Sequence, residues 1–269
     1  MRLTEIRSDP RPVAVTRIGL GIVAVLNAIE AFWILERIAS GRLAVPVFAD
    51  APVVPLPWLI AGLIIGIAAG LAVTAGWMTA PAATVTALLG AATLLADQQA
   101  YSSHRWFATL LMVYLVFARS ETAWSVRPRP DRGSIPWWPQ LLMMSQLSVL
   151  YLFSAISKMN FTFISGAPLS LWVWIDLPWQ AYFIAAVLTI AVELILAIGL
   201  WFRSSRRLAV ILGLGLHFSI VVLMVGETAA LIAFTITCVA LYPLFLFRPS
   251  FRSAASGRPS VSGVRATAR

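Results

Sequence analysis

At 269 residues, 60% of them hydrophobic and 12% charged, with a mean hydropathy of +0.87, the chain is too apolar for a soluble domain, which carries about a quarter charged residues. The net charge of +9 invites a nucleic-acid reading, but its placement follows membrane topology and argues against one. A single cysteine, Cys238, excludes an intrachain disulfide and a thiolate metal cluster.

The first apolar run, 13–36, follows a basic opening. It is too long for a signal-peptide core and has no small-residue cleavage site after it, so it reads as an uncleaved span. Further runs near 57–78, 81–98, 104–118, 139–157, 178–202, 207–225 and 227–247 bring the expected number of spans to about eight. A helix of about 20 apolar residues crosses the hydrocarbon core, and it satisfies its own backbone hydrogen bonds there. The alternating segments of about ten residues that a barrel requires are missing.

The expected fold class is an all-α polytopic transmembrane bundle. Residues 1–12 form a cytoplasmic N-terminal segment and 13–247 the membrane domain. Residues 248–269, rich in Ser, Ala and Arg without an acid, form a disordered cytoplasmic tail. With the N-terminus inside, sixteen basic residues fall at 2–17, 119–132, 203–207 and 248–269 on the cytoplasmic side. Arg37, Arg42, Arg105 and Lys158 fall on the other, a bias that fits an even number of spans with both termini inside. Gly62, Gly66 and Gly70 give the second span a small face that lets another helix approach.

Ionisable groups at membrane depth are costly and mark functional candidates. They are Glu30, Glu193 and His217, with the uncharged Asn27 and Gln146 beside them. Glu193 and His217 lie at similar depth on consecutive antiparallel spans, so the sequence predicts that they pair, either to fix helix register or to act. Lys158 is the only lysine, against nineteen arginines, and is placed at the non-cytoplasmic end of the fifth span. Unlike arginine, lysine can yield a neutral amine and serve as a base. It can equally be a snorkelling residue at a span end. Tyr151, Ser154 and Ala155 share its helix face. His104 falls in the other outward polar segment, Asp97 to Arg105, and Asp176 and Glu227 read as helix caps. With two histidines, no zinc-spaced cluster and no glycine-rich phosphate loop, no metal or nucleotide site is expected.

The segment Leu150-Tyr151-Leu152-Phe153-Ser154-Ala155-Ile156-Ser157-Lys158-Met159-Asn160, with Phe163 and Gly166 after it, resembles the vitamin K-dependent gamma-carboxylase group. It also resembles the wider horizontally transferred transmembrane (HTTM) domain family that contains this group. The stretch from Asp97 to Leu111 is similar to the family's Asp–aromatic–His segment, and Glu193 and His217 resemble its later acid and histidine. Phe163 stands where the family usually has Trp, and Ser103 where Asn precedes the histidine.

The resemblance implies a reduced quinone docked among the helices as cofactor, Lys158 as the base that takes its proton, and His104 hydrogen-bonding the developing oxyanion. Tyr151, Asp97, Asn160, Glu193 and His217 would line the substrate or cofactor site. Oxygen would convert the quinol to an epoxide, giving a base that removes a proton from a glutamyl side chain before carbon dioxide adds. The chain leaves little length after its last span for the large extracytoplasmic domain of full carboxylases. That keeps two alternatives open: a non-enzymatic component for maturation or export of a secreted peptide, and a quinone-linked redox subunit. The expected partners are the lipid bilayer and a secreted peptide substrate. Arginine- and alanine-rich usage suggests the cytoplasmic membrane of a bacterium.

Overall fold

The structure, a computed structural model, describes residues 5–49, 51–127, 133–226 and 228–247; the tail 248–269 and Glu227 lie outside the described residues. Seven helices are long and apolar enough to cross a membrane: α1 (Pro10–Ala39), α2 (Leu56–Ala75), α3 (Thr79–Ala96), α5 (Trp138–Lys158), α8 (Trp179–Gly199), α9 (Arg206–Leu223) and α10 (Thr228–Leu246). The eighth expected span is α4 (Ser103–Val116), whose 14 residues rise about 21 Å, short of the roughly 30 Å core.

Contacts show that α4 nevertheless runs alongside α1. Its first turn meets Glu30, late in α1, through Arg105, and the loop after its last turn meets Arg17, early in α1. Counting α4 with the seven, the described residues hold eight helices side by side, and the first and last begin and end at one face. There Thr16 donates to the Ala240 carbonyl and Arg206 to that of Phe245. By the distribution of arginines this face is the inner one. It also carries a two-residue ribbon, β1 (Arg7–Ser8) antiparallel to β2 (Ile135–Pro136), which ties the N-terminal segment to the start of α5.

Helix α1 packs against α2 and α10, α3 against α4, and α5 against α8. Small residues set the closest approach. A Cβ on Gly70 would lie 3.0 Å from the Val25 nitrogen and 3.1 Å from the Gly21 carbonyl, and one on Gly66 would lie 2.9 Å from Ala28 Cβ. The glycine face of the second span thus receives α1 at Gly66 and Gly70. Gly62, one turn earlier, faces open space.

Arg17, counted with the cytoplasmic arginines, does more than mark topology. It is fully buried in α1, and its guanidinium donates to the carbonyls of Ser120 (2.7 Å), Ala123 (3.0 Å) and Trp124 (2.5 Å). An arginine near a span end can reach backbone oxygen more cheaply than bulk water when the neighbouring loop folds over it. Asp176 is no cap either: α8 starts after Pro178 without a side-chain cap, because the extended Pro178 separates the acid from the first turn.

The segment after α5 holds two short helices, α6 (Phe161–Ile164) and α7 (Ala167–Trp172), which pack along α8. Phe163 is buried with Ala155, Ala186 and Ile190. Gly166 makes the turn between the short helices: its φ is 84°, and a Cβ there would lie 2.8 Å from the backbone of Tyr182 and Phe183. Both demands are met by glycine alone. The end of α7 then bonds to the end of α9, with Trp174 N donating to Leu223 O and Val225 N to Trp172 O.

Candidate functional site

Helix α5 is amphipathic over its last two turns, and its polar positions meet α8. Lys158 Nζ lies 2.6 Å from Glu193 Oε1 and 2.5 Å from Ser154 Oγ, and Ser154 donates to the same carboxylate oxygen at 2.9 Å. The Lys158 side chain is 24% exposed and that of Glu193 8%, so the pair is largely withdrawn from solvent. The Phe163 ring sits 5.8 Å from the ammonium, within cation–π range. The second carboxylate oxygen, Glu193 Oε2, is buried and has no hydrogen-bond partner among the described residues.

This corrects the depth expected for Lys158. It ends α5 but does not sit at a membrane boundary. Its partner Glu193 is fourteen residues along α8 from Trp179, a rise of about 21 Å from that helix's outer end. Helix α5 starts deeper on the inner side than α8 ends, since Ser148 of α5 is level with Trp201, whose indole nitrogen bonds its hydroxyl. The last residues of α5 therefore stop at mid-height of α8, and α6 and α7 cover them.

The pairing of Glu193 with His217 is also corrected. Among the described residues no hydrogen bond joins them, because each has a nearer partner on α5. His217 Nε2 is 2.8 Å from the Tyr151 hydroxyl, which is 2.7 Å from that of Tyr242. His217 Nδ1 is buried and has no hydrogen-bond partner among the described residues. Tyr242 fits because a Cβ on Gly213 would overlap its hydroxyl. The Lys158–Glu193 group and the Tyr151–His217 group both draw on α5, through Ser154 and Lys158 in the one and Tyr151 in the other.

The Tyr151→Phe variant removes the hydroxyl that serves both neighbours. It is expected to cost about 1–3 kcal/mol, the penalty of stranding buried polar groups. Tyr242→Phe, which leaves the Tyr151–His217 bond intact, should cost less. Thermal midpoints of the purified variants check this, and a Tyr151→Phe midpoint equal to wild type would show that the network contributes no stability.

His104 belongs to a second cluster. Its Nε2 is 3.4 Å from Glu30 Oε2 and 3.4 Å from Ser102 Oγ. Arg105 Nη2 is 2.7 Å from Glu30 Oε1, and its Nη1 donates to Ala100 O at 2.6 Å. No hydrogen bond or ion pair connects this cluster to Lys158 among the described residues. Asp97 accepts from Val45 N (2.7 Å) and Gln99 N (2.8 Å), holding the loop between α1 and α2. Asn160 caps α6 by accepting from Phe163 N at 2.9 Å. These two act on the backbone around the site.

Sequence reading missed Tyr242 and gave Arg105 only a topological role. The signal for the first was a tyrosine hydroxyl within a span beside Pro243, a helix-interior proline. The signal for the second was Glu30, an acid at membrane depth that requires an opposite charge. Among the described residues no three His, Cys, Asp or Glu side chains converge as a metal site would need.

Seven helices long and apolar enough to cross a membrane among the described residues, with the shorter α4 beside them, define a polytopic helical membrane protein. The chain belongs to the HTTM domain family, whose model matches residues 7–249, nearly its whole length. It is thereby a membrane protein related to the transmembrane region of the gamma-carboxylases. No match was found among curated proteins or solved structures.

Proposed function

We propose that the Lys158–Glu193 centre, part-way through the bundle, is an acid–base site that takes a proton from a membrane-soluble reduced quinone in a bacterial cytoplasmic membrane. The observation that carries this reading is the sole lysine, held at 2.6 Å from a buried carboxylate that keeps one oxygen unpartnered. A bare charge at this depth is costly, and a close carboxylate offers the proton a second seat. Passing it from Lys158 Nζ to Glu193 leaves a free amine, and Ser154, bonded to both, holds the two in line. When bound, a reduced quinone would supply the acidic hydroxyl and two electrons for reaction with oxygen. The residues fit such a group in part: an amine with one open side, an aromatic ring in Phe163 and a spare carboxylate oxygen. His104 would polarise a neighbouring oxygen only after rearrangement, since Glu30 and Ser102 engage its Nε2.

The test is quinone epoxidation by the purified protein under oxygen, with a peptidyl glutamate and carbon dioxide supplied to detect carboxylation. Lys158→Arg keeps the charge and the ion pair but cannot release a proton, so turnover should fall by about 10²–10⁴-fold, the worth of a general base. Full turnover in Lys158→Arg removes the base assignment.

A second reading rests on the same bonds. Lys158, Ser154 and Glu193 tie α5 to α8, which is what a peptide-maturation component without chemistry would need of them. On that reading Lys158→Arg is tolerated and Lys158→Ala is not, scored by secretion of the mature peptide.

A further inference from the structure

Away from the lysine, helices α1 to α4 enclose a cavity of about 200 Å³, and Lys158 is not part of its wall. The wall runs from Ala24 to Leu35 along α1 and from Thr86 to Ala96 along α3, a rise of about 15 Å on each. That is half of the roughly 30 Å hydrocarbon core, on the side away from the inner face. The deep end of this slot lies by Gly66, where α2 packs on Ala28 of α1. Among the described residues two of the wall are exposed, Trp58 of α2 and Ala92 of α3. Ile65, two turns on from Trp58, and Leu88 and Leu95, one turn either side of Ala92, are exposed as well. The slot therefore opens sideways between α2 and α3, along apolar stripes that face lipid.

We infer that this slot holds one acyl chain of a phospholipid from the leaflet away from the inner face. A slot one leaflet deep matches a chain that spans one leaflet, whereas a compact ring would fill only part of its length. Because the opening faces the bilayer, the chain enters without leaving lipid, and its headgroup stays at the membrane surface near Trp58. The wall is hydrocarbon for the most part. The Thr86 and Thr93 hydroxyls donate to their own helix at Ala82 O and Leu89 O. Asn27 Oδ1 is buried and presents no surface to an occupant. The Thr109 hydroxyl lies against Gly90 and engages no hydrogen bond among the described residues. Water is a poor occupant of such a wall, because it needs about 2–4 polar partners. Arg105, at the outer edge, is neutralised by Glu30 and also serves Ala100 O, so recognition falls to the chain and not to a charged headgroup. An empty slot would forfeit the van der Waals contacts that a chain restores to its lining. The inference stands whether or not Lys158 acts as a base.

The experiment is native mass spectrometry of the full chain, purified in detergent and incubated with dipalmitoylphosphatidylcholine. Wild type should keep one phospholipid per chain under activation that strips the detergent. Gly62→Phe puts a ring into the slot at a position where a Cβ meets nothing within 4 Å, and it should lose the lipid. Gly215→Phe, at an exposed and equally unobstructed glycine of α9, should keep it. The double variant Asn27→Leu/Thr109→Val should keep it too, since a chain needs neither polar side chain. Dihexanoylphosphatidylcholine, which carries the same headgroup on short chains, should not displace the lipid from wild type. A wild type that keeps no phospholipid overturns the inference. Retention in Gly62→Phe, or loss in Gly215→Phe, would place the lipid elsewhere and overturn it as well. Loss in Asn27→Leu/Thr109→Val would assign the slot to a polar ligand, and displacement by the short-chain lipid would assign recognition to the headgroup; either result contradicts a bound chain.

Discussion

Replacing Glu193 with leucine is expected to destabilise the protein by about 3–5 kcal/mol, the cost of leaving one member of a buried ion pair without its partner. Lys158 is about three-quarters withdrawn from solvent, with the Phe163 ring 5.8 Å from its ammonium, so the charge is only in part compensated by water once Glu193 is removed. Its remaining bond, to Ser154 Oγ, supplies a dipole and no charge. The double variant Lys158→Met/Glu193→Leu should recover most of the loss, since an apolar pair of similar volume is often as stable as the ions it replaces. Thermal midpoints in detergent for wild type, both single variants and the double variant close the cycle. If the single variants lose nothing, or their losses simply add, the two side chains do not interact as described.

Arg17→Met is expected to be the other severe change. It removes the donors that serve the buried Ser120 carbonyl and the part-buried carbonyls of Ala123 and Trp124. Stranding the buried one costs about 1–3 kcal/mol, and the other two, within reach of water, add less. Arg17→Lys should restore little, because an ammonium lacks the planar fork that reaches Ser120, Ala123 and Trp124 together. The loss should appear both as a lower thermal midpoint and as new protease cleavage within 119–127. A loop that stays resistant in Arg17→Met would mean that Ser125, whose hydroxyl bonds Glu121 O, holds it alone.

The membrane architecture was legible in the sequence because each pass is written locally, in about 20 apolar residues and in the side on which arginine collects. Lys158 stood out for a similar reason: it is one lysine among nineteen arginines. Its partner did not. Glu193 and His217 have matching depths on consecutive helices, which made their pairing the simplest reading. The register of α5 on α8 decides otherwise, and register is set by the packing of many side chains. The depth of Lys158 was hidden because the residues after it form α6 and α7, too short to show a helical period. Arg17 failed by the opposite route: a charge near a span end is ordinarily solvated, and only the fold of the loop at 119–127 buries it.

Because Lys158 is the only lysine in the chain, protein labelled with ¹⁵N-lysine carries one side-chain nitrogen signal, which makes its surroundings directly measurable. An amine bonded to Glu193 and Ser154 and covered by α6 and α7 should give an Nζ resonance whose protons exchange slowly with water, and Glu193→Gln should bring exchange into the fast range of a free lysine. A wild-type signal already exchanging like free lysine, and unchanged by Glu193→Gln, would contradict the account.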